Sequence, residues 1–190
     1  MHVTEKTPEQ MRWYLRPFFW LQRRRYGAPL VPALVWARVP ALYFALAGFY
    51  AALDRRRSPL DPLMRSLVQT RVSQINHCAF CVDLNAAVAA ERGGAMDKVL
   101  AVGDGHGSDL FTPRERLALE YAEIMTQTGR QVSEDLIARL REHFDEGALI
   151  ELTALIAFQN LSSKFNAALD IPSQGLCRSC LLYTSPSPRD

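Results

Sequence analysis

Ser66-Leu67-Val68-Gln69-Thr70-Arg71-Val72-Ser73-Gln74-Ile75-Asn76-His77-Cys78-Ala79-Phe80-Cys81-Val82-Asp83-Leu84-Asn85 is the stretch that decides the fold. With Leu63 just upstream, Leu67, Val68, Val72 and Ile75 recur at helical spacing and predict one buried helix face. Asp61-Pro62 supplies the start of that helix, an N-cap acid followed by proline in the first turn. A second helix is predicted from Cys78 to about Arg92, closed by Gly93-Gly94. Two thiols with two residues between them can form a short disulfide. At a helix start, the partial positive charge of the N-terminus also favours the thiolate.

Outward from this pair the pattern stays helical, and strand signals are almost absent. Thr7-Pro8-Glu9 reads as a helix start, with a bend near Pro17 and a stop at Gly27-Ala28-Pro29. Further helices are predicted over 32–38, 41–53, 96–102, 112–129, 133–144 and 146–169. Thr112-Pro113-Arg114-Glu115 forms a capping box and Ile171-Pro172 stops the last helix. Residues 103–109, rich in Gly and Asp, read as a flexible loop, and His106 within it is weak evidence for a metal or phosphate. The expectation is an all-α bundle of about eight helices with no sheet.

A chain of 190 residues, 48% hydrophobic, suits one domain with a real core. The net charge is +2, and the basic runs Arg23-Arg24-Arg25 and Arg55-Arg56-Arg57 read as solvated faces. No aromatic-interleaved basic stripe points to nucleic acid. The apolar run from Val31 to Leu53 is broken by Arg38 and Pro40, and so reads as two packed helices and no membrane span. With no secretory signal at the start, a cytoplasmic setting is expected, where C-x-x-C serves redox or metal chemistry more often than stapling.

The last eleven residues, CLLYTSPSPRD, resemble the translation of a sequencing adapter. Residues 178–190 are therefore expected to be a disordered, artefactual tail. Cys78-x-x-Cys81 and Cys177-x-x-Cys180 together outline four thiolates. Cys180 falls in that tail, however, and the intervening span is far longer than in a zinc ribbon. No metal and no cofactor are expected, and Cys177 reads as an inert or exposed thiol.

The coupling of R-V-S-Q-I-N to C-x-x-C-V-D over residues 66–85 resembles the signature of the carboxymuconolactone decarboxylase and AhpD-like superfamily. Residues 151–169 are similar to that family's closing helix. The resemblance covers 29–177 and leaves 1–28 as an N-terminal helical extension. It implies an AhpD-like helical subunit assembling as a trimer, hexamer or other homo-oligomer. It also implies thiol-dependent reduction of hydroperoxides by a dithiol/disulfide cycle, with a thiol reductant protein as partner. AhpD-type peroxidases usually carry a Glu twelve residues before the first cysteine and a His four residues after the second. Here those positions are Ser66 and Asn85, so the Glu–His proton relay is missing.

Cys78 and Cys81 are thus the expected catalytic pair. Cys78, at the helix start, is expected to be the more accessible thiol, and the attacking and resolving roles stay open. His77 reads as an exposed helix-start residue that could supply a proton. Asp83 is expected to face the helix N-terminus. Ser66 and Asn85 are expected to hydrogen-bond in the pocket. Glu151, in the apolar run 148–155, must find a partner or shift its pKa upward. It reads either as a substitute base or as half of an ion pair with arginine. The function expected is an AhpD-like thiol oxidoreductase acting on hydroperoxides. The alternatives are a lactone enzyme of the decarboxylase type and a non-catalytic redox-sensing or binding oligomer.

Overall fold

The computed structural model describes residues 1–4 and 6–177, except for the side chains of 105–107. The predicted tail at 178–190, the His106 side chain and any zinc site using Cys180 lie outside the described residues. Within them are nine α-helices and no strand. The helices are α1 (Arg16–Tyr26), α2 (Val31–Trp36), α3 (Pro40–Leu53), α4 (Pro62–Ile75), α5 (Ala79–Glu91), α6 (Met96–Leu100), α7 (Pro113–Thr126), α8 (Glu134–His143) and α9 (Glu146–Ala168).

Helix α4 is the axis of the bundle, packed against α5, α7 and α9. Its start follows from Asp61, whose carboxylate accepts from the N–H groups of Leu63 and Met64 at 2.9 and 3.1 Å. A one-faced amphipathic helix was expected, but α4 is enclosed on nearly all sides. Leu67, Val68 and Val72 are fully buried, yet so are Ser66, Gln69, Thr70 and Ser73. Their hydroxyls do not orphan the core, because Thr70 and Ser73 donate back to the carbonyls of Ser66 and Gln69 at 2.8 and 2.6 Å. Each buried Leu, Val or Phe contributes roughly 1.5–3 kcal/mol, and the core they form runs through α7, α8 and α9.

The N-terminal region departs from expectation. Thr7 starts only a single 3-10 turn, Pro8–Gln10. Pro17 does not bend a helix but opens α1, where its missing N–H costs nothing. Gly27, at φ 81°, closes α1 in the left-handed region that glycine adopts without strain. Met11, Leu15 and Phe19 form a small core with Ala37 and Tyr43, which fixes the extension onto α2 and α3. The predicted loop at 103–109 instead winds as a 3-10 helix, Ala101–Gly107. Arg71 on α4 donates to the Gly103 carbonyl at 3.1 Å and is paired with Glu123 at 2.8 Å, tying this turn to the core.

Candidate active site

The site begins where α4 hands over to α5. His77 takes φ 52°, turning the chain sharply between the two helices, and its side chain is exposed. Cys78 N–H closes α4 on the Ser73 carbonyl at 3.0 Å. Cys78 Sγ then caps α5 by accepting from the Cys81 N–H at 3.2 Å. Cys78 and Cys81 are joined as a disulfide, with Cα atoms 5.3 Å apart. Once reduced, both sulfurs lie in the first turn of α5, where its dipole stabilises negative charge.

Both cysteines are buried, Cys78 at 1% and Cys81 at 3% exposure. Cys78 was expected to be the accessible one, but it is Cys81 that lines a cavity of about 330 Å³ between α1, α2, α3, α5 and α9. Capping draws the Cys78 sulfur inward, among Val35, Phe80 and Ile171. The cavity walls are mostly apolar and include Trp36, Tyr43, Leu46, Leu84 and Phe158. Trp36 is stacked on Phe165 at 3.6 Å, which holds the indole in place.

Around Cys81 the lining turns polar, and every member is neutral. Asn166 Nδ2 donates to Cys81 Sγ at 3.2 Å. Gln159 Nε2 donates to the hydroxyls of Ser73 and Ser163 at 3.0 and 2.9 Å, and Asn85 Nδ2 donates to Ser73 at 3.1 Å. Gln69 Nε2 reaches Gln159 Oε1 at 3.3 Å. Asn166 Oδ1, in a residue 1% exposed, has no hydrogen-bond partner among the described residues. This net ties α4, α5 and α9 together beside the sulfur. Asn166, Gln159 and Ser163 were missed as site residues. Their spacing along α9, i, i+4 and i+7 from Gln159, places three polar side chains on one face and was the available signal.

Two positions singled out in the sequence lie elsewhere. Ser66 does not line the cavity. Its hydroxyl donates to the Pro62 carbonyl at 3.3 Å and accepts from Arg92 at 2.9 Å. Helices α4 and α5 run antiparallel, so Ser66 faces Arg92 while Asn85 faces Ser73, about 10 Å apart along α5. Glu151 is held by Arg55 and by Ser58 Oγ, the latter at 2.8 Å. Burial pulls its carboxyl upward, but the Arg55 and Ser58 hydrogen bonds and the Arg55 charge outweigh it and hold it below the usual range. Of its two readings the ion pair is the one seen. Glu151 also stands fifteen residues, roughly 22 Å of helix, from Asn166.

Asp83 does not face the helix N-terminus as expected. Its buried carboxylate accepts from Ser173 Oγ at 2.8 Å and from the N–H groups of Gln174, Leu176 and Cys177 at 2.9, 3.0 and 2.6 Å. The segment after α9 is thereby strapped to the helix that carries Cys81. Cys177, expected to be inert or exposed, is buried at 4%, drawn in by that strap. Among the described residues no group of three or more His, Cys, Asp or Glu could hold a metal ion. No helix there is long and apolar enough to cross a membrane.

Residues 40–123 match the carboxymuconolactone decarboxylase family. The chain is 53% identical over 164 residues to the uncharacterized protein YnjA of Escherichia coli, covering 86% of this chain and 90% of that one. It is 30% identical over 115 residues to the uncharacterized protein YdfG of Bacillus subtilis, covering 60% and 78%. In fold it is similar to a peroxidase-related protein from Ralstonia eutropha described as an alkylhydroperoxidase AhpD core. That match has TM-score 0.83 and 20% identity, and covers 92% of this chain and 93% of that one. The debrominase Bmp8 in complex with 2,3,4-tribromopyrrole is similar at TM-score 0.83 and 20% identity, covering 97% of both chains.

Proposed function

The chain belongs to the carboxymuconolactone decarboxylase family, and from that premise we propose that it is a thiol oxidoreductase reducing an organic hydroperoxide through Cys78 and Cys81. The observation that carries this reading is a bonded cysteine pair at a helix start, with one sulfur, Cys81, facing an apolar cavity. In the reduced protein, the Cys81 thiolate attacks the terminal hydroperoxide oxygen. The O–O bond breaks, the alkoxide leaves as alcohol after taking up a proton, and Cys81 becomes a sulfenic acid. The Cys78 thiol then displaces hydroxide, which leaves as water, and the disulfide forms. A dithiol protein returns two electrons and two protons.

With Ser66 and Asn85 at the usual relay positions, activation of Cys81 falls to the α5 dipole and the Asn166 amide. An unperturbed thiol is only about 3% thiolate at pH 7, whereas one lowered to about 7 is half ionised. Assembly as a homo-oligomer, a trimer or hexamer, belongs to the same reading. The exposed side chains of Phe18, Trp20, Phe44 and Phe49 on α1 and α3 offer apolar surface for it.

The aromatic walls of the cavity favour a second reading, reduction of a halogenated aromatic, the class of compound bound by the debrominase of like fold. Here the dithiol supplies two electrons, a carbon–halogen bond becomes carbon–hydrogen, and halide leaves. The test is consumption of cumene hydroperoxide by the full chain with an excess of dithiol reductant. Saturable turnover abolished by Cys81→Ser supports the first reading. No consumption, with halide released from a brominated phenol, supports the second. Reduced thiols that survive both reagents return the chain to a binding or redox-sensing role.

A further inference from the structure

The cavity has a second polar end that the thiol chemistry does not use. Arg25 lines it together with Tyr26 and Tyr50. Arg25 is paired with Glu91, which lies ten residues, about 15 Å of helix rise, beyond Cys81 on α5. That pair is loose, 3.5 Å with both side chains more than half exposed, and such contacts are worth little in water. The guanidinium also lies over the Tyr26 ring at 5.2 Å. Neither the Tyr26 nor the Tyr50 hydroxyl makes a hydrogen bond within the described residues, so two donors stand unused. Burial, reinforced by the Asp54 carboxylate, pushes the Tyr50 phenol up to about 12, and burial raises Tyr26 as well. Both therefore remain donors at neutral pH.

Arg25 is the one charged side chain lining the cavity among the described residues. Asp54 is already neutralised by Arg92 at 2.6 Å and by Arg65 at 3.4 Å. Among the described residues Glu91 has only the loose Arg25 contact, so Arg25 is the weakly paired cation at this end. Between the two ends the walls are apolar side chains such as Leu46, Leu84 and Phe158. A volume near 330 Å³ lies within the range of small-ligand pockets.

We propose that the cavity takes an amphipathic organic acid, with its carboxylate at Arg25, Tyr26 and Tyr50, its apolar body between, and its reducible group at Cys81. This rests on the thiol reading for the reacting end only; the carboxylate end stands on its own geometry. Arg25 is the residue that sets specificity, and the two phenols orient the head group.

The probes are decanoate and its methyl ester, neither of which can be reduced. Their binding to the full chain is measured by calorimetry at pH 7, and their occupancy by the slowing of alkylation at reduced Cys81. Partition alone favours the neutral ester. The expected result is at least tenfold tighter binding of decanoate, protection of Cys81, loss of the preference in Arg25→Gln and partial retention in Arg25→Lys. Equal binding of acid and ester overturns the proposal, as does a preference that survives Arg25→Gln. Decanoate selectivity in a protein that consumes no peroxide upholds the acid site and removes the peroxidase reading. Peroxide turnover without acid selectivity does the reverse.

Discussion

Asn166 Nδ2 donates to Cys81 Sγ from the far end of α9, and it is the one side-chain hydrogen bond to that sulfur among the described residues. The side chain that contacts the sulfur is thus a neutral amide and not an acid or a base. Its donor is satisfied while its own oxygen is left unpaired among the described residues. A hydrogen bond to a charged group contributes about 1.5–3 kcal/mol, and part of that is lost when the thiolate takes up its proton.

Asn166→Leu is close in shape, removes the donor and also removes the orphaned oxygen. The Cys81 thiol pKa is expected to rise by about one unit, which is 1.36 kcal/mol. Alkylation at pH 7 then slows about tenfold while thermal stability holds or improves. The pH profile of iodoacetamide labelling, read at Cys81 by mass spectrometry, checks this. An unchanged profile would mean that the α5 dipole alone sets the thiolate.

Asp83→Ala is expected to be among the most destabilising substitutions outside the main core. It leaves the N–H groups of Gln174, Leu176 and Cys177 without their acceptor. An orphaned buried donor costs about 1–3 kcal/mol. A loss of about 3 kcal/mol in urea unfolding is expected, together with faster proteolysis within 171–177. Asp83→Asn, which keeps one acceptor oxygen, should recover part of that loss.

Glu151→Gln should leave the thiol chemistry unchanged and reveal itself only through pH. The folded protein holds the Glu151 carboxyl below its unfolded value near 4.5. Its contribution is therefore fully present above that value and fades as pH falls through the lower, folded one. The stability gap between the native chain and Glu151→Gln, of order 1 kcal/mol or less for so exposed a pair, should close in acid. Denaturant midpoints at pH 7 and pH 3 test it. A gap that widens on acidification would contradict the Arg55 pairing.

Much of the bundle could be read before any coordinates, because caps and stops are local. Asp61, Thr112 and Ser133 each accept from the first turn of a helix. The cysteine pair was legible for the same reason: its spacing is its chemistry. What escaped depended on contacts remote in sequence. The Asn166–Cys81 contact spans 85 positions and Asp83–Cys177 spans 94. No window of ten or fifteen residues contains either relationship. The accessible sulfur was misjudged because the capping bond turns Cys78 inward, a choice made by the Cys81 N–H.

Helix α5 carries the Cys81 sulfur in its first turn and, near its last, the Glu91 that borders the arginine end. Roughly three turns of rigid rod separate the two. Changes at one end need not disturb the other, so the proposed acid selectivity and the proposed thiol chemistry are separable traits. Substitutions around Arg25 can then alter the one without touching the residues around Cys81.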